Sequence, residues 1–477
     1  MKPHQHVHFV GIGGVGMSAL AQVLLSMGVR VSGSDLRMTP TLAQLQAVGG
    51  EVALGHASDN IRGADAVVVS SAIPPDNPEV VAALRARIPV LQRAELLADI
   101  MDDKRGIAVS GTHGKTTTTA MIAAILEAGG LEPTVIVGAE ADRSGLGARL
   151  GKGALVVAEA DESDASFLRL SPWCAVITNI ENDHLGYYRD LDHLVETFAA
   201  FANRVPQSGV VVASADCPAV IELVCRANRA PRLLGDPRVI TVGFDTAADV
   251  RAAEVTLADF GSTFAVECRR KRVGGIRLEV PGRFNVSNAL SAIAVGLECA
   301  VPFERIALAL RSFAGVARRF EILFNRDGSV VVDDYAHHPT AVQETIAAAR
   351  AYWPGRIIVA FQPHRYSRTA YLIRDFAHAL LGADKIIISD IYAAGEMPLP
   401  GVRSESIVDC VRESDRRKEV TYVAVPVDVL AHLQRTMTAG DLVLTLGAGD
   451  IGGVAHALAA SLGEPKAAVA SGSPAHA

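Results

Sequence analysis

No stretch of about 18 consecutive apolar residues interrupts this chain, so no membrane-spanning helix is expected. The opening residues MKPHQHVHFVGIGG lack the apolar core of roughly 7–15 residues that a secretory signal needs, and a cytoplasmic location is the expectation. Cysteine is scarce and scattered. Cys174, Cys217, Cys225, Cys268, Cys299 and Cys410 show no C-x-x-C spacing, which argues against a disulfide framework or a structural zinc site and for free thiols in a reducing compartment. An excess of positive charge is also missing. A net charge of −7 and a pI near 6.1 exclude a general nucleic-acid or acidic-membrane binder, while leaving room for local basic clusters that grip phosphates.

What is present is an ordinary globular composition, 49% hydrophobic and 20% charged, over 477 residues, too many for one core. Three blocks are expected: 1–104, 105–315 and 316–477. The first opens with a strand at Val7–Val10, a glycine turn and a helix over Met17–Met27, with further strands at Val29–Ser32 and Ala66–Ser70. The second has strands at Ile107–Val109, Ala154–Ala158, Ala175–Thr178 and Gly209–Ala213, antiparallel hairpins within Ser262–Val280, and a helix over Asn285–Cys299. In the third, strands at Val330–Val332, Ile357–Phe361, Lys385–Ser389 and Asp441–Leu446 alternate with helical runs, and the Ala/Ser/Pro-rich tail from Glu464 reads as frayed. Strands alternating with helices make an α/β protein with parallel sheets.

The second glycine turn carries the first chemical signal. Ile107-Ala-Val-Ser-Gly-Thr-His-Gly-Lys-Thr-Thr-Thr-Thr119 reads as strand, turn and helix start. Such a turn aims backbone N–H groups at an anion, and the helix dipole adds to the attraction. Gly111, Thr112, Gly114, Lys115, Thr116 and Thr117 form the candidate ATP phosphate cradle, in which Lys115 reaches the β/γ-phosphates and the Thr116 hydroxyl ligates Mg2+. The match to G-x-x-x-x-G-K-[ST] is incomplete, because Val109 stands at the first glycine position. Acidic and imidazole groups follow where a metal would want them: Glu159, after the buried strand Leu155–Val157, and His184, after another strand, are the candidate metal ligands beside Thr116. Asp161, Glu162 and Asp164 read equally well as solvated loop, helix cap or ligand.

Taken together, Gly111-Thr-His-Gly-Lys-Thr-Thr-Thr118, Glu159-Ala-Asp-Glu-Ser-Asp-Ala-Ser-Phe167 and Asn179-Ile-Glu-Asn-Asp-His184 resemble the central domain of the Mur ligase family. The likeness continues through Gly315-Val-Ala-Arg-Arg-Phe-Glu321, Asp333-Asp-Tyr-Ala-His-His-Pro-Thr340 and Phe361-Gln-Pro-His-Arg-Tyr-Ser-Arg-Thr369. Gly11-Ile-Gly-Gly-Val-Gly-Met-Ser18 and Ile391-Tyr-Ala-Ala-Gly-Glu396 point to the branch that adds alanine. The resemblance implies three domains: a Rossmann-like N-terminal domain that binds a UDP-sugar, a P-loop-type central ATPase domain and a Rossmann-like C-terminal domain. It implies an ATP- and Mg2+-dependent ligase of peptidoglycan precursor synthesis, with UDP-N-acetylmuramate and L-alanine as substrates and an acyl phosphate between them. Monomer and homodimer both stay open.

Carried onto this chain, the resemblance places Lys115 and Thr116 on ATP and Mg2+, Glu159 as a metal ligand, and His184 on a second Mg2+ near the acyl phosphate. Asn288, with Asn285, would meet the adenine end, Arg319 the γ-phosphate, and Asp334 the nucleotide. His364, Arg365, Arg368 and Tyr335 would shape the amino-acid site, where an arginine fork can hold a carboxylate. Lys115, His184, Arg319 and His364 are the candidate catalytic residues. Because these come from several blocks, domain closure is expected. Two departures stand out. Gly282-Arg-Phe-Asn-Val-Ser-Asn288 has Phe284 where the family usually has histidine, so the ring either stacks on adenine without its hydrogen bond or belongs to the core. No lysine occurs between Lys152 and Lys271, so this segment lacks the carbamylated lysine that several relatives use, as the alanine-adding branch does.

The first glycine turn invites a different reading. Gly11-x-Gly13-x-x-Gly16, with Gly14 inside it and Asp35 on the next strand, is a dinucleotide fingerprint on its own. The same backbone can instead hold the pyrophosphate of a UDP-sugar, with Ser70, Ser71 and Arg93 as further contacts, and this reading accommodates the downstream cradle. His4, His6 and His8 share one side of an extended strand and read as structural. A tripeptide-adding ligase, an NAD-dependent oxidoreductase and an NTP-driven switch are the rival classes, separable by ADP release with L-alanine or tripeptide and by titration with NADH and UDP-N-acetylmuramate.

Overall fold

A computed structural model describes residues 5–138, 147–183, 187–227 and 237–463. By contacts the chain divides into two compact units. One comprises Met1–Val255, Thr263–Leu278 and Phe284–Val316; the other comprises Thr256–Ser262, Glu279–Arg283 and the chain from Ala317 onward.

The first unit begins with five strands and four helices in alternation: β1 His6–Val10, α1 Val15–Ser26, β2 Arg30–Asp35, α2 Pro40–Ala47, β3 Glu51–Leu54, β4 Ala66–Val69, α3 Pro78–Ala86, β5 Val90–Gln92 and α4 Arg93–Asp102. The sheet is parallel, in the order β3-β2-β1-β4-β5. β1 and β4 are buried throughout, as strands covered on both faces must be. The strand order reverses at β1, which leaves the crevice outside the carboxyl ends of β1 and β4 as the natural ligand position.

A second sheet in this unit is built from β6 Arg105–Ser110, β7 Thr134–Ile136, β8 Ala148–Arg149, β9 Leu155–Glu159, β10 Cys174–Ile177, β11 Val210–Ser214, β12 Arg238–Gly243, β13 Val250–Ala258, β14 Gly261–Cys268 and β15 Lys271–Leu278. Their order is β15-β14-β13-β12-β11-β10-β6-β9-β7-β8. β6 lies between β9 and β10, parallel to both, so all three carboxyl ends meet at one edge. The helices are α5 Lys115–Ala128, α6 Leu191–Ala202, α7 Pro218–Ala227, α8 Arg283–Glu298 and α9 Phe303–Arg311. The hairpins expected within Ser262–Val280 are present and start earlier, at Val250. Their two-residue turns have left-handed backbone at Asp259 and Phe260 and at Arg269 and Arg270, the geometry that matches strand twist in tight hairpins. Phe167 anchors the chain after β9, stacked on Phe201 at 4.7 Å and edge-on to Phe198 at 5.1 Å.

The second unit holds a six-stranded sheet: β16 Glu321–Arg326, β17 Ser329–Asp334, β18 Arg356–Phe361, β19 Lys385–Ile388, β20 Glu419–Tyr422 and β21 Asp441–Leu446, in the order β16-β17-β21-β18-β19-β20. Only the edge strand β16 runs antiparallel to its neighbour. The helices are α10 Pro339–Tyr352, α11 Tyr366–Leu380, α12 Glu405–Ser414, α13 Pro426–Thr436 and α14 Gly452–Leu462. Val331, Ile358, Ile387 and Val443, all fully or nearly fully buried, carry this core with α13 and α14 packed over them. The expectation of a frayed tail from Glu464 lies outside the described residues, as does that for His4. Among the described residues no helix is long and apolar enough to cross a membrane. All six cysteines are free thiols.

Candidate active site

β6 ends at Ser110 and α5 begins at Lys115, so four residues must reverse the chain at a sheet edge. Two glycines allow it. Gly111 has φ +136° and Gly114 has φ +84°, and a Cβ on Gly114 would come within 2.4 Å of the Asn288 Oδ1. Asn179, just past β10, fixes the turn from the side: its Oδ1 accepts the His113 N–H at 2.8 Å, and its Nδ2 donates to the His113 carbonyl at 3.0 Å. Thr178 donates to the same carbonyl at 2.6 Å. This leaves a rigid turn ahead of a helix N-terminus, a geometry suited to an anion.

The Lys115 ammonium lies back over this turn. It donates to the Gly111 carbonyl at 2.7 Å, the Thr112 carbonyl at 3.3 Å and Glu162 Oε1 at 2.9 Å. Burial works against its charge, but the fields of Glu162, Glu159 and Asp161 outweigh burial and raise its pKa. Glu162 has no solvent exposure, and its carbonyl accepts the buried Tyr188 hydroxyl. The sequence left Glu162 undecided between loop, cap and ligand; its actual partner is a lysine 47 residues away, a contact no local pattern encodes.

At the end of β9 the Thr116 hydroxyl donates to Glu159 Oε2 at 3.0 Å, and the Gly138 N–H meets the same oxygen at 3.0 Å. A hydroxyl and a carboxylate this close supply the oxygen donors that a hard divalent cation prefers. His184, expected as a further ligand, lies outside the described residues. Asn288 is buried on α8, below the turn: its Oδ1 accepts the Thr118 hydroxyl at 3.2 Å, and its Nδ2 donates to Asn285 Oδ1 at 3.1 Å. Thr117 is buried in the first turn of α5, and Phe284 is half-buried at the start of α8.

The first glycine turn follows the buried strand β1. Gly11 has φ +75°, and Gly14 caps α1 with its N–H on the Gly11 carbonyl at 3.2 Å. Asp35 turns inward and accepts the Gly13 N–H at 2.9 Å and the Leu36 N–H at 2.7 Å, so it locks the turn. Arg93 reaches over Gly16, where a Cβ would meet its Nη1 at 2.9 Å, and its Nη2 lies 3.4 Å from Asp161 Oδ2. Ser70 and the exposed Ser71 follow β4, across the crevice. His6 and His8 are buried and share Ser32 Oγ at 2.7 and 2.8 Å, a structural network that continues to the buried Glu79.

In the second unit the carboxyl ends of the parallel strands gather the remaining residues. Asp334 closes β17 and accepts backbone N–H groups from Phe320 at 2.6 Å and Ala336 at 2.7 Å. Burial raises its pKa to about 6 against the opposing field of Arg319. Arg318 binds Asp333 at 2.9 Å and the Gly447 carbonyl at 2.7 Å, and Arg319 sits 5.0 Å from the Tyr335 ring centroid. Arg318, the adjacent arginine, is the anchoring one, through partners 15 and 129 residues away that no local pattern encodes. Tyr335, His337, His364 and Tyr392 form a run of ring contacts 5.2, 5.6 and 5.7 Å between centroids. His364 lies 3.5 Å from Arg368, and burial together with Arg368 and Arg365 lowers its pKa to about 4. Arg365 has φ +70°, a strained backbone directly ahead of α11. Glu396 accepts from the Ser367 N–H at 3.0 Å and hydroxyl at 2.6 Å, at the start of the same helix.

Family models match this chain in three consecutive pieces: the Mur ligase family catalytic domain over residues 6–105, the Mur ligase middle domain over 109–296, and the Mur ligase glutamate ligase domain over 318–449. The chain is 47% identical to the UDP-N-acetylmuramate--L-alanine ligase of Syntrophotalea carbinolica, covering 95% of this chain and 97% of that one. It is 46% identical to the enzyme of the same name from Geotalea uraniireducens, over 96% and 98%. The solved structure of UDP-N-acetylmuramate-alanine ligase from Thermotoga maritima matches with a TM-score of 0.80 at 31% identity, over 96% of this chain and 99% of that one. With three family models in order along most of its length, and relatives this similar from end to end, the chain belongs to the Mur ligase family.

Proposed function

We propose that this protein joins L-alanine to the carboxylate of UDP-N-acetylmuramate at the expense of ATP, a step of peptidoglycan precursor synthesis. The relatives that match nearly end to end carry that activity in their names. The observation that carries the reading is the second glycine turn, with Lys115 over it and the Thr116–Glu159 pair beside it. A carboxylate is a poor acyl donor. Transfer of the ATP γ-phosphate to it creates an acyl phosphate; the alanine amine then attacks the carbonyl carbon, the amide bond forms and phosphate leaves.

In this reading the turn from Gly111 to Thr117 binds the triphosphate, and Lys115 exchanges its carbonyl contacts for phosphate oxygens. Mg2+, held through Thr116 and Glu159, neutralises phosphate charge when bound. Arg319, steered by Tyr335, adds positive charge toward the transferred phosphoryl group. Asp334 acts on the nucleotide side by fixing the backbone around Arg319. Arg365 and Arg368 hold the alanine carboxylate, and His364, kept neutral by burial and by these two arginines, lines the same site. The first turn, with Gly13, Gly14, Gly16, Ser71 and Arg93, holds the UDP-sugar pyrophosphate, while Asp35 keeps that turn in shape. Phosphate release, measured with each amino acid in the presence of UDP-N-acetylmuramate and ATP, tests the assignment. L-alanine should give the fastest release, and preference for a tripeptide or dependence on NADH would refute it.

A further inference from the structure

The two glycine turns of the first unit are joined by two consecutive acidic residues, each of which reaches a different cation. Asp161 Oδ2 lies 3.4 Å from Arg93, the arginine that covers Gly16 at the start of α1. Glu162 Oε1 lies 2.9 Å from Lys115, which opens α5. The segment between them is fixed. Asp161 Oδ1 accepts the Ser163 N–H at 3.1 Å, the Glu162 carbonyl accepts the Ala165 N–H at 3.1 Å and the Tyr188 hydroxyl, and Phe167 is buried against Phe198 and Phe201. Asp161 therefore presents Oδ2 to Arg93 from a set position, and against burial the fields of Lys115 and then Arg93 keep its carboxylate charged.

We infer that Asp161 couples the two anion sites, competing with the sugar nucleotide for Arg93 and passing the occupancy of one turn to the other. This rests on the reading above, in which the first turn takes a sugar-nucleotide pyrophosphate and the second takes ATP. A pyrophosphate that recruits Arg93 strips Asp161 of the cation paired with its Oδ2 and leaves it dependent on Lys115. A nucleotide that recruits Lys115 leaves Asp161 more dependent on Arg93, and so strengthens the pair that the sugar nucleotide must break. Without a divalent cation, each polyanion weakens the other through this one carboxylate, and the effect is reciprocal. The pair is partly exposed, with side chains 24% and 41% accessible, which keeps the coupling modest.

Calorimetric titration of the full-length protein with UDP-N-acetylmuramate in EDTA, alone and with saturating ADP, reads this coupling. ADP should weaken sugar-nucleotide binding to the wild type by about threefold. Asp161→Asn keeps the acceptor for Ser163 but removes the charge; it should bind UDP-N-acetylmuramate about threefold more tightly and lose most of the ADP effect. Asp164→Asn is the control, because that carboxylate caps the Ser166 N–H at 3.0 Å, so this variant should keep the wild-type ADP effect. The inference is overturned if wild type shows no ADP effect, if Asp161→Asn behaves as wild type, or if Asp164→Asn matches Asp161→Asn. A wild type that fails to bind UDP-N-acetylmuramate at all would instead refute the functional reading.

Discussion

Lys115 and Glu162 face each other across 2.9 Å, and the glutamate is sealed from water. The other two lysine donors are spent on the carbonyls of Gly111 and Thr112. A buried carboxylate of this kind keeps the ammonium charged and in place, and removing either partner strands a charge.

Glu162→Gln should therefore destabilise the protein by about 3 kcal/mol, the usual consequence of breaking a buried pair from one side. Urea denaturation of the two proteins measures it, and a loss below about 1 kcal/mol would mean the pair is effectively solvated. Lys115→Ala should abolish ADP formation while UDP-N-acetylmuramate binding persists.

Gly114→Ala tests the turn itself. Its left-handed φ of +84° costs an alanine about 1 kcal/mol, and the added Cβ would press on Asn288, which supports Thr118. The backbone N–H groups proposed to hold the triphosphate would shift with it. A drop in kcat/KM for ATP on the order of a hundredfold is expected, with the KM for L-alanine nearly unchanged. Normal ATP kinetics in this variant would show that the turn does not shape the nucleotide site.

The sequence was most readable where burial on both faces makes a strand a continuous apolar run. Ala66–Val69 announces itself this way, as does the stretch Leu442–Leu444 inside Asp441–Leu446. Glu51–Leu54, Val90–Gln92 and Glu321–Arg326 did not, because they are edge strands whose side chains, Phe324 excepted, are exposed or half-exposed and whose apolar runs are only two or three residues long. The two glycine turns were legible because strand, glycine and helix start lie within a few residues. Partnerships across sequence were hidden. Nothing near Asn288 says that it will be buried beneath a turn some 170 residues earlier, and nothing near Asp35 says that both of its oxygens will be spent on the Gly13 and Leu36 N–H groups.

The gap in lysines between Lys152 and Lys271 bears on metal chemistry. A carbamylated lysine forms from dissolved carbon dioxide, so an enzyme that depends on one loses activity when bicarbonate is depleted at low pH. This protein should show the same initial rate of phosphate release with and without added bicarbonate. Rescue by bicarbonate would place a carbamate in the site from some other lysine.

Asp334 and His364 titrate in the same acidic window of the second unit with opposite consequences. Burial raises the Asp334 pKa to about 6, so the folded state holds its proton more tightly than the unfolded chain, whose carboxyl titrates near 3.9. Its contribution to stability is greatest below pH 4 and falls as pH rises to 6, by on the order of 2–3 kcal/mol. The His364 pKa is lowered to about 4 by burial and by Arg368 and Arg365, so its contribution is present above about pH 6.5 and is lost as pH falls toward 4. The two slopes oppose each other in the wild type. Asp334→Asn, which retains one acceptor for the Phe320 and Ala336 N–H groups, should leave a melting temperature that climbs more steeply from pH 4 to 6. His364→Asn should shift the slope the other way. If both variants melt with the wild-type pH dependence, neither group carries the charge balance assigned to it.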